Sequence, residues 1–456
     1  MIEYRTMNGT RQSGNEVGPP SLPLVGHLPW FLANRLQFLE RCARRYGDVV
    51  KLNLGGTTYL LTDPEDIKHV LVTNPDNYEK TPRMMSRKGK LVSGDGLLTA
   101  SAAGHLRERR MLQPVFYRTS LVRFSSTITR TAEEIFDAWK PGTQIEMGSE
   151  MARLAQRVII RTMFGMTFDD RNGELALAIT ARKQYLDHIF FSLVPMAHYI
   201  PPWTWWRYRQ AMQRIRAAII HHLRLRRGND AGGDDLLGLL MRARYDDGTR
   251  MSDRHIHDEA MILLITGYES IGDALSWSLY LLSRHPEVAR TLGMEIDAVL
   301  GRRMPSAEDL HRLPYTGKVL AETLRLYPPS WMMVRIVRQT DTLPSGTCVP
   351  ERSKLYLCPY VMHRDPRYYP NPEQFDPERF NEATRKERPQ FSYFPFGGGA
   401  RVCIGEHFAR LEATLVLAMV MQRFAFHLVP GQSVLPEPRM TLRPKNGLRM
   451  LVESHR

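Results

Sequence analysis

Two short runs rich in β-branched residues open the readable part of the chain: VVKLNLG at 49–55 and TTYLLTD at 57–63. With Gly55 and Gly56 between them they predict one hairpin. Before it, PPSLPLVGHLP (19–29) is punctuated by Pro and reads as extended, because each Pro disfavours helix in the residue before it. From Pro64 to about residue 329 helical periodicity dominates. A Pro-rich mixed stretch with short strands then runs to Phe396, and one more long helix follows Cys403. The best-defined helix starts at the N-cap Ser252, carries Asp253, Asp258 and Glu259 in its early turns, and stops at Pro286. At 1.5 Å per residue it is roughly 50 Å long. Its middle, AMILLITGYESIGDALSWSLYLL, is apolar nearly all round and is predicted to thread the core. Gly267, Glu269, Ser270 and Asp273 interrupt that apolar surface. An unpaired buried carboxylate is costly or takes up a proton, so these groups imply water, a partner or a ligand, or else a kink with a buried salt bridge.

The 456 residues, 43% hydrophobic and 24% charged, have ordinary globular composition and can bury a large core. Without repeats, low-complexity tracts or a separating linker, they predict a polar, flexible tail over 1–18 and one mainly α domain with small β-sheets over 19–456, the β-rich portion lying near its N-terminus. Cys42, Cys348, Cys358 and Cys403 are too scattered for a disulfide framework and form no CxxC pair, which fits a reducing compartment. There is no signal-peptide layout and no run of about 18 apolar residues, so a soluble, cytoplasmic protein is expected. The net charge of +14 suits nucleic acid, an anionic membrane or an acidic protein. Its Lys and Arg are dispersed, and no finger, RNP-like or helix-turn-helix pattern accompanies them, so nucleic acid is disfavoured. Residues 189–227 combine aromatic and basic groups that can rest weakly on a membrane surface. HRDP at 363–366 superficially matches a kinase catalytic loop, but position 370 is Pro and no DFG follows. Gly397 to Gly399 do not complete GxGxxG, and no flavin or nicotinamide unit is seen.

The sharpest local feature is FPFGGGARVCIGEHFARLEATLVLAMV, 394–420. Three glycines let the backbone fold tightly beside a flat partner, and Cys403 then falls at the start of a long amphipathic helix, where free N–H groups and the helix dipole favour a thiolate, the metal-binding form. For Cys42, Cys348 and Cys358 a buried small hydrophobe is the preferred reading. The segment resembles the haem-binding signature of the cytochrome P450 family at every fixed position: Phe396, Gly399, Arg401, Cys403 and Gly405. The resemblance implies haem b with Cys403 as its axial thiolate on iron, Phe396 packed near the sulfur and Arg401 paired with a propionate.

Four further motifs follow in the family's order. Glu322 and Arg325 form an ExxR, which with Arg379 of PERF resembles the family's buried structural network. His105 and Arg109, one helical turn apart in GHLRERRMLQPVF, are similar to its propionate-binding helix, and Arg335 matches another propionate position. TGYES, 266–270, resembles the oxygen-activation motif, in which Glu269 and the alcohol of Ser270 relay protons while Gly267 admits O2 against a widened turn. It departs from the pattern at Thr266, Ser270 and Ile271, which leaves proton delivery looser. The resemblance spans about Pro19 to Val452 and implies the P450 fold, with haem between the long central helix and the Cys403 loop. The expected activity is insertion of one oxygen atom of O2 into a terpenoid, fatty acid or polyketide-like guest by a monomer fed with electrons by a separate ferredoxin or flavodoxin and its reductase. The alternative on the same fold is a haem-thiolate isomerase, dehydratase or peroxide-using oxygenase. Family position puts the pocket at Ile262, Ile265 and Thr266, at Trp331, Met332 and Met333, and at Met84 and Met85. Arg107, Arg110 and Arg410 are candidates for docking an acidic electron donor.

Overall fold

The computed structural model describes residues 18–81, 94–165, 181, 202–228 and 235–454. They divide into two compact units, one drawn from 1–85, 325–374 and 381–403, the other from 86–324, 375–380 and 404–456.

The first unit is built on a five-stranded sheet. The expected hairpin is there, Val49–Asn53 against Thr57–Leu61, and Thr57–Leu61 then pairs in parallel with Lys354–Leu357. Met333–Val337 and the short strand Tyr78–Glu79 complete it in antiparallel order. The sheet is therefore not a local N-terminal feature, since its centre is supplied by residues almost 300 positions later in sequence. Tyr59, Leu61, Val337, Leu355 and Leu357 form its buried face with Leu71, Phe391 and Phe394. A single π turn, His69–Thr73, carries Leu71. This turn is tied down by Asp341, whose Oδ2 accepts from Tyr78 Oη at 2.7 Å and Asn74 Nδ2 at 2.9 Å and meets His69 Nε2 at 3.0 Å.

The second unit is mainly helical. Its central helix runs Asp253–Arg284, the Ser252 side chain accepts from the His255 amide at 3.2 Å, and Pro286 begins the next helix. Eighteen of its residues are buried, as an all-round apolar sequence requires. It packs on Met147–Phe164. The crossing is so close that a Cβ at Gly272 would lie 2.9 Å from the Ala152 Cα, and one at Gly267 would lie 3.0 Å from the Ile159 side chain. A second sheet, unannounced by the sequence, joins Gln144–Glu146, Arg449–Ser454 and Phe424–Leu428.

The last long helix is Glu406–Arg423. It was expected to be amphipathic, but every residue from Leu411 to Met421 is buried. Among them is Glu412, neither of whose carboxylate oxygens has a hydrogen-bond partner, and burial pushes its carboxyl well above the usual range. The folded state therefore keeps a proton that the unfolded chain loses above about pH 4.3, so stability falls as pH rises past that point by up to about 1.4 kcal/mol per unit. Glu412→Gln is expected to flatten this slope, so that urea midpoints measured at pH 5 and pH 8 converge in the variant and diverge in the parent.

No helix among the described residues is long and apolar enough to cross a membrane.

Candidate functional site

Residues 396–403 close into a tight loop in which the Cys403 amide donates to the Phe396 carbonyl at 2.9 Å. Two short-range constraints shape it. Gly399 has φ of 66°, and a Cβ there would fall 1.8 Å from the Leu71 carbonyl oxygen. Gly398 is also pressed onto the Phe391 ring, 2.4 Å from the position of a Cβ. The glycines thus allow the loop to lie against its own chain, in addition to any flat partner. The loop ends three residues before the helix Glu406–Arg423, whose N-cap Gly405 offers no capping side chain.

Cys403 emerges from this loop exposed, as does Cys348. Cys42 and Cys358 are buried, and burial pushes both thiols up to about 12. Neither can supply a thiolate at neutral pH. The expectation that Cys348 is buried is not met, because it sits on a short peripheral strand, Cys348–Val349.

Near the loop is a group of cations. Arg335 is buried on the strand Met333–Val337, and the register Glu79↔Ile336, carried one residue further, sets Lys80 opposite it. Burial, then repulsion from Arg401 and Arg335, pushes Lys80 down to about 7. Burial and the Arg401 charge push Arg335 down to about 10. Burial lowers Arg401 too, against the opposing pull of Glu79. Three cations in surroundings that disfavour their charge suit an anionic ligand. Together with an accessible thiol on a glycine-shaped loop, they have the donor chemistry that haem and its two propionates require. Lys80 was not found in the sequence: it has no motif, and only the pairing of two distant strands brings it to Arg335.

His105 is buried and Arg109 half-buried on the helix Ala102–Leu112 of the other unit. On the central helix Glu269 and Ser270 are half-buried and Thr266 exposed. Ser270 Oγ donates to the Thr266 carbonyl at 3.5 Å, and Thr266 Oγ1 to that of Ile262 at 2.8 Å. The helix is α-helical through this region, without the widened turn expected at Gly267. The bare Gly267 Cα instead makes room for Ile159. Of the pocket residues, Ile265, Thr266, Met332 and Met333 keep accessible surface, whereas Ile262 and Trp331 are buried, Trp331 accepting a hydrogen bond from the Cys358 thiol at 3.1 Å. Met84 and Met85 lie outside the described residues.

The ExxR residues are wholly buried on the helix Pro314–Leu326. Arg325 donates to the carbonyls of His363, Pro372 and Gln374 at 2.8, 2.7 and 3.1 Å. Glu322 accepts from the Asp376 amide at 3.0 Å and lies 3.5 Å from Arg379 Nε. These contacts fix the backbone of 363–376.

Comparison with known proteins agrees with this geometry. The sequence model of the family described as Cytochrome P450 matches residues 17–452. The chain is 36% identical to cyclooctatin synthase of Streptomyces melanosporofaciens, over 97% of this chain and 96% of that one. It is 32% identical to cyclooctat-9-en-7-ol 5-monooxygenase of the same organism, over 91% and 90%. The crystal structure of the cytochrome P450DA heme domain superposes with a TM-score of 0.85 at 25% identity, covering 97% of this chain and 98% of that one. With its glycine-shaped cysteine loop, buried ExxR helix and long apolar central helix, this chain belongs to the cytochrome P450 family of haem-thiolate monooxygenases, which use O2 and electrons from redox partners.

Proposed function

We propose that the chain binds haem b through the Cys403 thiolate and inserts one oxygen atom of O2 into an apolar terpenoid. The observation that carries this reading is the exposed Cys403 beside the charge-disfavoured cations Lys80, Arg335 and Arg401. The haem-thiolate group supplies the redox chemistry that splits O2. The chain's own residues do the rest. Arg335, Arg401 and Lys80, with His105 and Arg109, hold the two propionates by charge-assisted hydrogen bonds. Phe396 packs near the sulfur. Ser270 Oγ, weakly held at 3.5 Å by its own helix, is able to turn and pass a proton, and the Glu269 carboxyl resupplies it.

Of the three apolar classes the sequence left open, the terpenoid is supported by the relatives. The name cyclooctat-9-en-7-ol 5-monooxygenase describes oxygen added to a ring hydrocarbon that already carries one alcohol. The accessible Ile265, Met332 and Met333 are suited to such a guest, and Met adapts to its shape.

Electrons come from a separate ferredoxin or flavodoxin, with the net charge of +14 favouring an acidic one. Arg107, Arg110 and Arg410 contribute less than their number suggests, because each already meets an acid: Asp247 at 3.6 Å, Asp246 at 3.3 Å and Glu406 at 2.9 Å. A monomer acting in the cytoplasm completes the reading.

The test is NADH-dependent oxidation of a cyclic terpene alcohol with a surrogate ferredoxin and reductase under isotopically labelled O2. One labelled oxygen atom per product is expected. Product formed only with peroxide, or without any oxidant, contradicts the proposal and favours the alternative chemistry on this fold.

A further inference from the structure

Three side chains outside the oxygenase machinery converge at the start of the central helix. Glu108 projects from the helix Ala102–Leu112, while His255 and Glu259 stand one turn apart on Asp253–Arg284 and share a face. Glu108 Oε2 lies 3.0 Å from His255 Nε2, which lies 3.8 Å from Glu259 Oε1. All three ligand atoms fall within 4.8 Å of one another.

Their hydrogen bonding does not explain the arrangement. Glu259 is 0% exposed, and its Oε1 accepts from the Leu97 amide at 2.7 Å while its Oε2 has no partner. Although Glu108 Oε2 and His255 Nε2 are close, neither has a partner in hydrogen-bond geometry. Three buried polar atoms facing one another without partners, Glu108 Oε2, His255 Nε2 and Glu259 Oε2, are costly unless something else satisfies them. Gly96 makes room for the buried carboxylate, since a Cβ there would be 2.4 Å from Glu259 Oε1.

The imidazole is oriented from behind. Tyr245 Oη is 3.2 Å from His255 Nδ1 and 3.5 Å from Glu108 Oε1. A tyrosine accepting from Nδ1–H and donating to Glu108 turns the Nε2 lone pair toward the carboxylates, as outer partners do for metal-bound histidines. In a tetrahedral zinc site with bonds near 2.0–2.1 Å, neighbouring ligand atoms are about 3.3 Å apart. The separations of 3.0 and 3.8 Å bracket that value. Glu108 and His255 also line a polar cleft of about 420 Å³, along with Asp95 and Asp258, which gives an ion and its water a way in.

We propose that Glu108, His255 and Glu259 bind one divalent cation, with zinc the matching ion and water in the open position, clamping the helix Ala102–Leu112 to the start of the central helix. Two carboxylates balance its charge, and imidazole with carboxylate oxygen is a donor set that zinc accepts.

The test uses the haem-loaded protein, stripped by a chelator, dialysed and titrated with zinc chloride. Zinc is counted after desalting, the thermal midpoint is followed, and the zinc X-ray absorption edge reports the neighbours. One zinc per chain is expected, with one imidazole nitrogen and otherwise oxygen neighbours, and the midpoint rises with zinc. Glu259→Gln keeps an oxygen for the Leu97 amide and removes the buried charge. Its zinc-free midpoint is expected to equal or exceed that of the parent, while its zinc affinity falls by more than the roughly 10–100-fold that loss of an outer partner costs. His255→Gln should lose affinity to a similar degree and serves if the first variant folds poorly. Equal zinc retention by parent and variants, sulfur among the neighbours, or no stoichiometric zinc overturns the proposal.

Discussion

Gly399→Ala is expected to destabilise the protein by about 3 kcal/mol or more and to abolish retention of haem, since a left-handed conformation costs an L-residue roughly 1–2 kcal/mol and overpacking adds about 1–3 kcal/mol. The obstacle is a backbone oxygen, Leu71 O, at 1.8 Å from the new Cβ. A flexible side chain would swing aside, but Leu71 sits in a π turn whose neighbours His69, Asn74 and Tyr78 are all held by Asp341. The strain is therefore transmitted to the loop, and the loop carries Cys403. Gly431→Ala is the matched control, with φ of 77° and nothing within 4 Å of its Cβ. It should show the conformational penalty alone and keep its haem. Haem-to-protein ratio and thermal midpoint, measured on both variants, check the difference. Equal behaviour of the two would mean that the contact with Leu71 does not shape the loop.

Cys403→Ser is expected to remove substrate oxidation altogether while leaving the polypeptide folded, because the residue is exposed and makes no contribution to either core. A serine hydroxyl is a far weaker acid than a cysteine thiol and a poor ligand for iron, so the variant offers a neutral, weak donor where the parent offers sulfur. The other cysteines cannot substitute. Cys42 and Cys358 are held protonated by burial. Cys348→Ser is the control, for Cys348 is equally exposed but lies on a peripheral strand, and its loss should leave turnover unchanged. Product formation per haem in the three proteins checks this.

Local chemistry made much of the fold readable in advance. The central helix and its Ser252 cap, the hairpin at 49–61 and the ExxR helix each follow from residues close together in sequence. What stayed hidden depends on distance. The parallel pairing of Thr57–Leu61 with Lys354–Leu357 and the sheet joining Gln144–Glu146 to the C-terminal strands have no local signal, because register between remote strands is set by packing. Lys80 and Glu108 were missed for the same reason, as each gains its meaning from partners over a hundred residues away. Two local readings also yielded to packing. Gly267 suggested a widened turn, yet the helix is regular and the glycine admits Ile159. The helix Glu406–Arg423 suggested an amphipathic stripe, yet its middle is buried all round, Glu412 included. A count of arginines likewise does not show that Asp246, Asp247 and Glu406 stand beside Arg110, Arg107 and Arg410.

The central claim is that the Cys403 sulfur, as thiolate, is the protein's bond to haem iron. The most direct measurement is the absorption spectrum of the haem-loaded protein reduced with dithionite and exposed to carbon monoxide, taken beside that of Cys403→Ser. A strongly red-shifted Soret band in the parent, absent from the variant, is the expected result. A parent without that shift, or a variant that retains it, would contradict the account.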